Sequence, residues 1–98
     1  MAASSPEVAR LIGEAIARHR KRTGFSQEEL AFRSGMHRTA VGQLERGERV
    51  PRADTIIRLA ACLEIPAGDL LSGIAWQPIA YTAGGYRFPE GPTSAPRL

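Results

Sequence analysis

The 98-residue sequence predicts an all-α fold of five helices followed by an extended, β-like C-terminal arm. Three observations lead there. Apolar residues recur at three- and four-residue spacing in successive segments up to Gly73. Serine, proline and glycine stand where such segments should start and stop. From Ile74 onward the helical period disappears, yet Trp76, Tyr81, Tyr86 and Phe88, four of the six aromatic residues, follow there. The expected organisation is a helical domain over residues 1–73 and an arm over residues 74–98, frayed after about residue 89 where Gly, Pro and Ser dominate.

The first helix is expected at about residues 6–22, with Ser5 as its N-cap and Pro6 in the first helical position. Val8, Leu11, Ile12, Ala15, Ile16 and His19 form its apolar stripe. His19, in the middle of that stripe, reads more readily as a core histidine than as a catalytic or metal-binding one. The second helix, about 26–34, opens on a capping box in which Ser26 and Glu29 exchange bonds, flanked by Phe25 and Leu30 as a hydrophobic staple. Gly35 then makes a tight turn into a third helix, about 37–46, and two short helices so joined are the helix-turn-helix pattern. A fourth helix, about 53–63 after Pro51, should bury Ile56, Ile57, Leu59, Ala60 and Leu63, with Cys62 as a small packing residue. Pro66 opens a fifth, 66–72, contributing Leu70 and Leu71. In the arm, Ile74-Ala75-Trp76 and Tyr86-Arg87-Phe88, separated by Ala83-Gly84-Gly85, suit either extended arms or a loose hairpin.

Composition narrows the function classes. A hydrophobic fraction of 43% and a charged fraction of 23% are those of an ordinary soluble protein, and no apolar run approaches membrane-spanning length. The N-terminus has no basic patch followed by a hydrophobic stretch, and Cys62 is the only cysteine, so a cytoplasmic protein is expected. Net charge is only +3, but Arg38, Arg46, Arg49 and Arg52 fall in one short region. An enzyme is not expected: there is no phosphate-cradling glycine loop, no metal-spaced Cys/His cluster and no plausible Ser/His/Asp set. No cofactor or metal is called for.

At about 100° per residue, Ala40, Val41 and Leu44 of the third helix point inward together, leaving Arg38, Thr39, Gly42, Gln43 and Arg46 outward. Arginine can bond both acceptors of a guanine edge, glutamine can pair with adenine, and threonine can meet a thymine methyl. Gly42 costs the helix about 1 kcal/mol relative to alanine but would let its backbone come close to DNA. Glu45 and Arg20 lie at the edges of the buried stripes of their helices. They are expected to meet as a partly buried ion pair, the alternative being two independent surface charges.

The run Gly24-Phe25-Ser26-Gln27-Glu28-Glu29-Leu30-Ala31, then Ser34-Gly35-Met36, then Val41-Gly42-Gln43-Leu44-Glu45-Arg46-Gly47 and Pro51, resembles the lambda repressor/Cro-like (XRE) helix-turn-helix family. The likeness continues through Leu59-Ala60 and Asp69-Leu70-Leu71 and covers about two-thirds of the chain. It implies a five-helix lambda-repressor-like DNA-binding domain. It also implies roles: Gln27 bonding a phosphate, Arg38, Thr39 and Gln43 reading base edges with His37 at the helix entrance, and Arg46, Arg49 and Arg52 touching the DNA backbone. Arg20 and Glu45 match a structural ion pair of the family. Three positions depart from its pattern: His19 replaces leucine, His37 replaces the Ser or Thr N-cap, and Arg52 takes a small-residue cap position.

The expected function is therefore a transcriptional regulator, a repressor of bacterial or phage type, binding a roughly palindromic site on double-stranded DNA as a homodimer. The competing expectation is an antitoxin-like module that uses the same fold to bind a partner protein. In either case Trp76, Ile79, Tyr81, Tyr86 and Phe88 form the candidate dimer or partner arm.

Overall fold

A computed structural model describes residues 5–78 and 84–88. Helix α1 (Ser5–Thr23) carries Glu7 in its first turn and Arg20, Lys21 and Arg22 in its last, charges that complement the helix dipole. It already includes Ser5, which is therefore within the helix rather than its cap. Helix α2 (Gln27–Ser34) is capped by Ser26, whose side chain accepts a bond from the Glu29 amide at 3.0 Å. Only that half of the capping box forms among the bonds seen, because the Glu29 carboxylate accepts from the Arg33 guanidinium instead, at 2.9 and 3.1 Å. Helix α3 (Arg38–Glu45) follows the turn, and α4 (Ala53–Leu63) is the fourth α-helix among the described residues.

The expected fifth α-helix is instead a 3-10 turn, Ala67–Leu71. It is one turn of chain caught between Pro66 and Gly73, with Gly68 inside it. A nucleus of three fixed residues cannot be recovered over so short a stretch, and i→i+3 closure is the form such pieces take. The Asp69 amide accordingly bonds the Pro66 carbonyl at 2.9 Å.

Ile12, Ile16, Leu30, Val41, Leu44, Leu59 and Leu70 are the most deeply buried side chains, drawn from all four helices and the 3-10 turn. Of the residues expected inward, Leu11 and Ala40 are only partly buried and two more are exposed. Ile57 is 60% exposed because the buried positions of α4 are 56, 59, 60 and 63, and residue 57 lies a further 100° round the helix. Leu71 is also exposed, its neighbour Leu70 having taken the inward position.

Strands β1 (Ala75–Gln77) and β2 (Gly85–Arg87) pair antiparallel, with Ala75 opposite Arg87, Trp76 opposite Tyr86 and Gln77 opposite Gly85. The arm is thus a hairpin. Because side chains alternate between faces, Ile74, Trp76, Tyr86 and Phe88 share one face. Ile74 and Phe88 pack against the helical core, whereas Trp76 and Tyr86 stand beyond it, 41% and 38% exposed. Their rings meet edge to face at 5.0 Å.

Candidate nucleic-acid interface

The geometry of the interface begins with the turn between α2 and α3. Gly35 ends α2 in the left-handed conformation (φ 73°), which a glycine adopts without steric penalty. The Met36 amide returns to the Ala31 carbonyl at 2.8 Å, and two residues later the chain is helical again. His37 takes the N-cap backbone conformation of α3 but makes no side-chain cap bond, so its exposed ring is left free of that duty.

What holds α3 in place is a clamp on its inner edge. Arg20 Nε donates to Glu45 Oε2 at 2.6 Å and Arg20 Nη2 to Glu45 Oε1 at 3.0 Å. Arg20 Nη1 also donates to the Phe25 carbonyl at 2.8 Å, and Gln27 Nε2 to Glu45 Oε1 at 2.9 Å. One carboxylate thereby joins α1, the entry to α2 and α3. The two side chains are only 11% and 6% exposed. The Glu45 hydrogen bond raises the Arg20 pKa above its ordinary value, outweighing the opposing effect of burial. Such a pair sets orientation more than it adds stability, since desolvation offsets much of the attraction.

Close packing also fixes the angle at which α3 is presented. At Gly13, α1 crosses the end of α3 so closely that a Cβ there would stand 2.2 Å from the Leu44 carbonyl oxygen and 2.8 Å from that of Glu45. Gly47 repeats the device after α3: its φ is 72° and a Cβ would meet the Arg10 Cα at 2.8 Å. Sequence reasoning passed over Gly13. Its signal was a glycine inside an otherwise good helix, which costs stability unless something must come close.

With its inner edge pinned, α3 turns Arg38 and Thr39 fully outward, and Gln43 sits half-buried beside them. An open groove runs between the start of α2 and α3, lined by Arg20, Ser26, Gln27, Glu28, Arg38, Thr39, Gly42 and Arg46. Gly42 is not the bare approach expected. It is buried, covered by the Arg46 guanidinium and the Gln27 amide, whose nearest atoms are 3.1 and 3.7 Å from where its Cβ would be. Arg49 and Arg52 lie exposed beyond α3, Arg52 paired with Asp54 at 3.2 Å. Trp76, Tyr86 and Phe88 belong to the hairpin, and Ile79 and Tyr81 lie outside the described residues. Among the described residues no helix is long and apolar enough to cross a membrane.

A helix-turn-helix family model matches residues 16–70, which include Arg20, α2, α3 and the arginines beyond it. The chain belongs to the helix-turn-helix family. Its motif residues are those of the lambda repressor/Cro-like (XRE) kind. The chain is 36% identical over 66 residues to the control protein C.SmaI of Serratia marcescens, covering 67% of this chain and 79% of that protein. The solved restriction-modification controller protein C.AhdI of Aeromonas hydrophila superposes with a TM-score of 0.64 at 37% identity, over 66% of this chain and 94% of that one. SinR of Bacillus subtilis, a master regulator for biofilm formation solved in complex with DNA, superposes with a TM-score of 0.59 at 30% identity, over 61% and 97% of the two chains. The hairpin lies beyond the residues the family model matches.

Proposed function

We propose that this helix-turn-helix protein is a sequence-specific DNA-binding transcriptional regulator that inserts α3 into the major groove. The observation that carries the reading is the two-sidedness of α3: Val41 and Leu44 are buried and Glu45 is clamped, while Arg38 and Thr39 are exposed. That arrangement gives a rigid helix whose free face bears guanidinium, hydroxyl and amide groups, the chemistry that reads base edges. Gln27, Arg46, Arg49 and Arg52 are assigned to the sugar-phosphate backbone on either side, where they set position rather than sequence. The solved likeness of SinR with DNA and the named control proteins support the same reading.

The site on DNA is taken to be an inverted repeat read by a homodimer, with half-sites about one helical turn apart. The exposed Trp76–Tyr86 pair supports self-association through the hairpin, because two half-buried aromatic rings at the end of an otherwise packed face leave apolar area uncovered. Repression would follow where the operator overlaps a promoter. Location in the cytoplasm and the absence of catalysis follow from the same reading.

Selection of bound sequences from random duplex DNA at physiological salt tests it, with sedimentation of the full chain alone and with the selected duplex. An enriched inverted repeat bound by two chains is expected. No enrichment would refute sequence-specific binding; an enriched single half-site bound by one chain would refute the dimer. A dimer that survives Trp76→Ala and Tyr86→Ala unchanged would place self-association elsewhere.

A further inference from the structure

Arg46 does not reach outward from the end of α3. Its guanidinium folds back along the helix over Gly42, and its Nε donates to Glu48 Oε2 at 2.6 Å. It therefore lies in the groove beside Gln27, Arg38 and Thr39. The two side chains of the pair remain 60% and 48% exposed, so the pairing contributes little to folding. Its physical consequence is orientation. A free arginine is a mobile cation drawn to any phosphate, whereas a guanidinium held by a carboxylate along one edge has a fixed direction and a partly cancelled field. Gly42 leaves the space in which it lies; a Cβ there would crowd Nη1. Of the groove's other cations, Arg20 is buried against Glu45 and committed to the fold, and Arg38 has no acidic partner among the described residues.

We propose that Glu48 is a positioning residue for DNA recognition. It holds Arg46 over Gly42, so that the guanidinium's remaining N–H groups meet one defined phosphate of the strand passing between α2 and α3. The inference rests on the DNA-binding reading above and deepens it. A fixed Arg46 contributes to the correctly docked complex and little to loose encounters with arbitrary sequence. A released Arg46 does the reverse.

The experiment compares wild type, Glu48→Gln, Arg46→Ala and the double variant on two duplexes, the selected operator and a random sequence, across a salt series. For Glu48→Gln, affinity for the operator should fall and affinity for random duplex should rise, each about threefold, so that the ratio drops about tenfold, the scale set by an exposed ion pair and its loss of preorganisation. The slope of log K against log salt on random duplex should steepen by about 0.9, one further phosphate contact. With Arg46→Ala in place, Glu48→Gln should change neither affinity. Duplexes carrying one neutral methylphosphonate should locate the contact: wild type loses affinity at one phosphate per half-site, and Arg46→Ala abolishes that dependence. Melting temperatures of all variants should match wild type.

A uniform rise on both duplexes, or an effect of Glu48→Gln that persists without Arg46, would mean that Glu48 acts only as a nearby negative charge and would overturn the proposal. A contact that follows a base substitution rather than a neutralised phosphate would overturn the phosphate assignment. Failure of the wild type to select any sequence would sink the underlying DNA-binding reading, and this inference with it.

Discussion

Replacing Gly13 by alanine should loosen the helix that is presented to DNA. The new Cβ would lie 2.2 Å from the Leu44 carbonyl oxygen and 2.8 Å from that of Glu45, against an ordinary carbon–oxygen contact of about 3.3 Å. Both obstacles are backbone atoms, so no rotamer change relieves them; α1 and α3 must move apart by about 1 Å. Overpacking of this kind costs about 1–3 kcal/mol, and the rigid obstacle argues for the upper end. Alanine's better helix propensity returns about 1 kcal/mol. The net loss is then about 2 kcal/mol, which for a domain of this size lowers the melting temperature by roughly 8–16 °C. Thermal unfolding followed by circular dichroism reads this directly. Gly68→Ala is the internal control: nothing lies within 4 Å of a Cβ there, so that variant should melt at or slightly above the wild-type temperature. Because the atoms displaced at Gly13 include the backbone of Glu45, DNA affinity of Gly13→Ala should also fall at temperatures where the variant is fully folded. A Gly13→Ala protein that melts within about 2 °C of wild type would refute the claim that close approach at this crossing sets the position of α3.

Other expectations follow from the same structure. His19 is buried, and burial first, then Arg22 and Arg18, lower its pKa below 6.5, with Asp69 opposing. Folding therefore favours the neutral ring: the associated stability is present above pH 6.5 and is lost as pH falls through that value towards the lowered folded-state pKa. His19→Leu should flatten this dependence in denaturant titrations between pH 5 and 8, and an unchanged profile would show that His19 does not cause it. Arg20→Ala should cost about 3–5 kcal/mol, because Glu45 is left buried without its partner. The double variant Arg20→Met/Glu45→Leu should recover much of that in urea unfolding while still binding DNA poorly. Gln43→Ala should relax preference at particular bases by about 1–3 kcal/mol, whereas Arg49→Ala should weaken all sequences alike. Equal losses across sequences for both variants, measured on a panel of single-base operator mutants, would contradict the assigned roles.

Much of the fold was legible in the sequence because its signals are local. Ser26 before a polar first turn, Gly35 after the last turn of α2 and the inward Val41 and Leu44 each act within one helical turn and appear where expected, whereas Ala40, expected inward with them, is only partly buried. Pro66 and Leu70-Leu71 carry the marks of a helix start and an apolar face, so the sequence predicts a full helix where the 3-10 turn stands. Those marks do not report that too few residues remain before Gly73 to sustain one. Ile57 was misplaced for a related reason: two adjacent isoleucines leave the centre of the stripe ambiguous, and the packing of α4 on α2 and the 3-10 turn settled which one is covered.

The sequence by itself determined the helix-turn-helix pattern and the exposure of Arg38 and Thr39 on the free face of α3, though not the burial of Gly42 between them and Gln43, since periodicity and capping are properties of neighbouring residues. Only the tertiary structure decided how that face is held and edged. The Arg20–Glu45 pair was expected and is present, but Gln27 joining that carboxylate from 18 residues away, Leu44 meeting Gly13 across two helices, and the Arg46 guanidinium lying over Gly42 rather than beyond the helix end were not. Those relations depend on the angle and distance between helices, which close packing of the shared core sets and no spacing along the chain encodes.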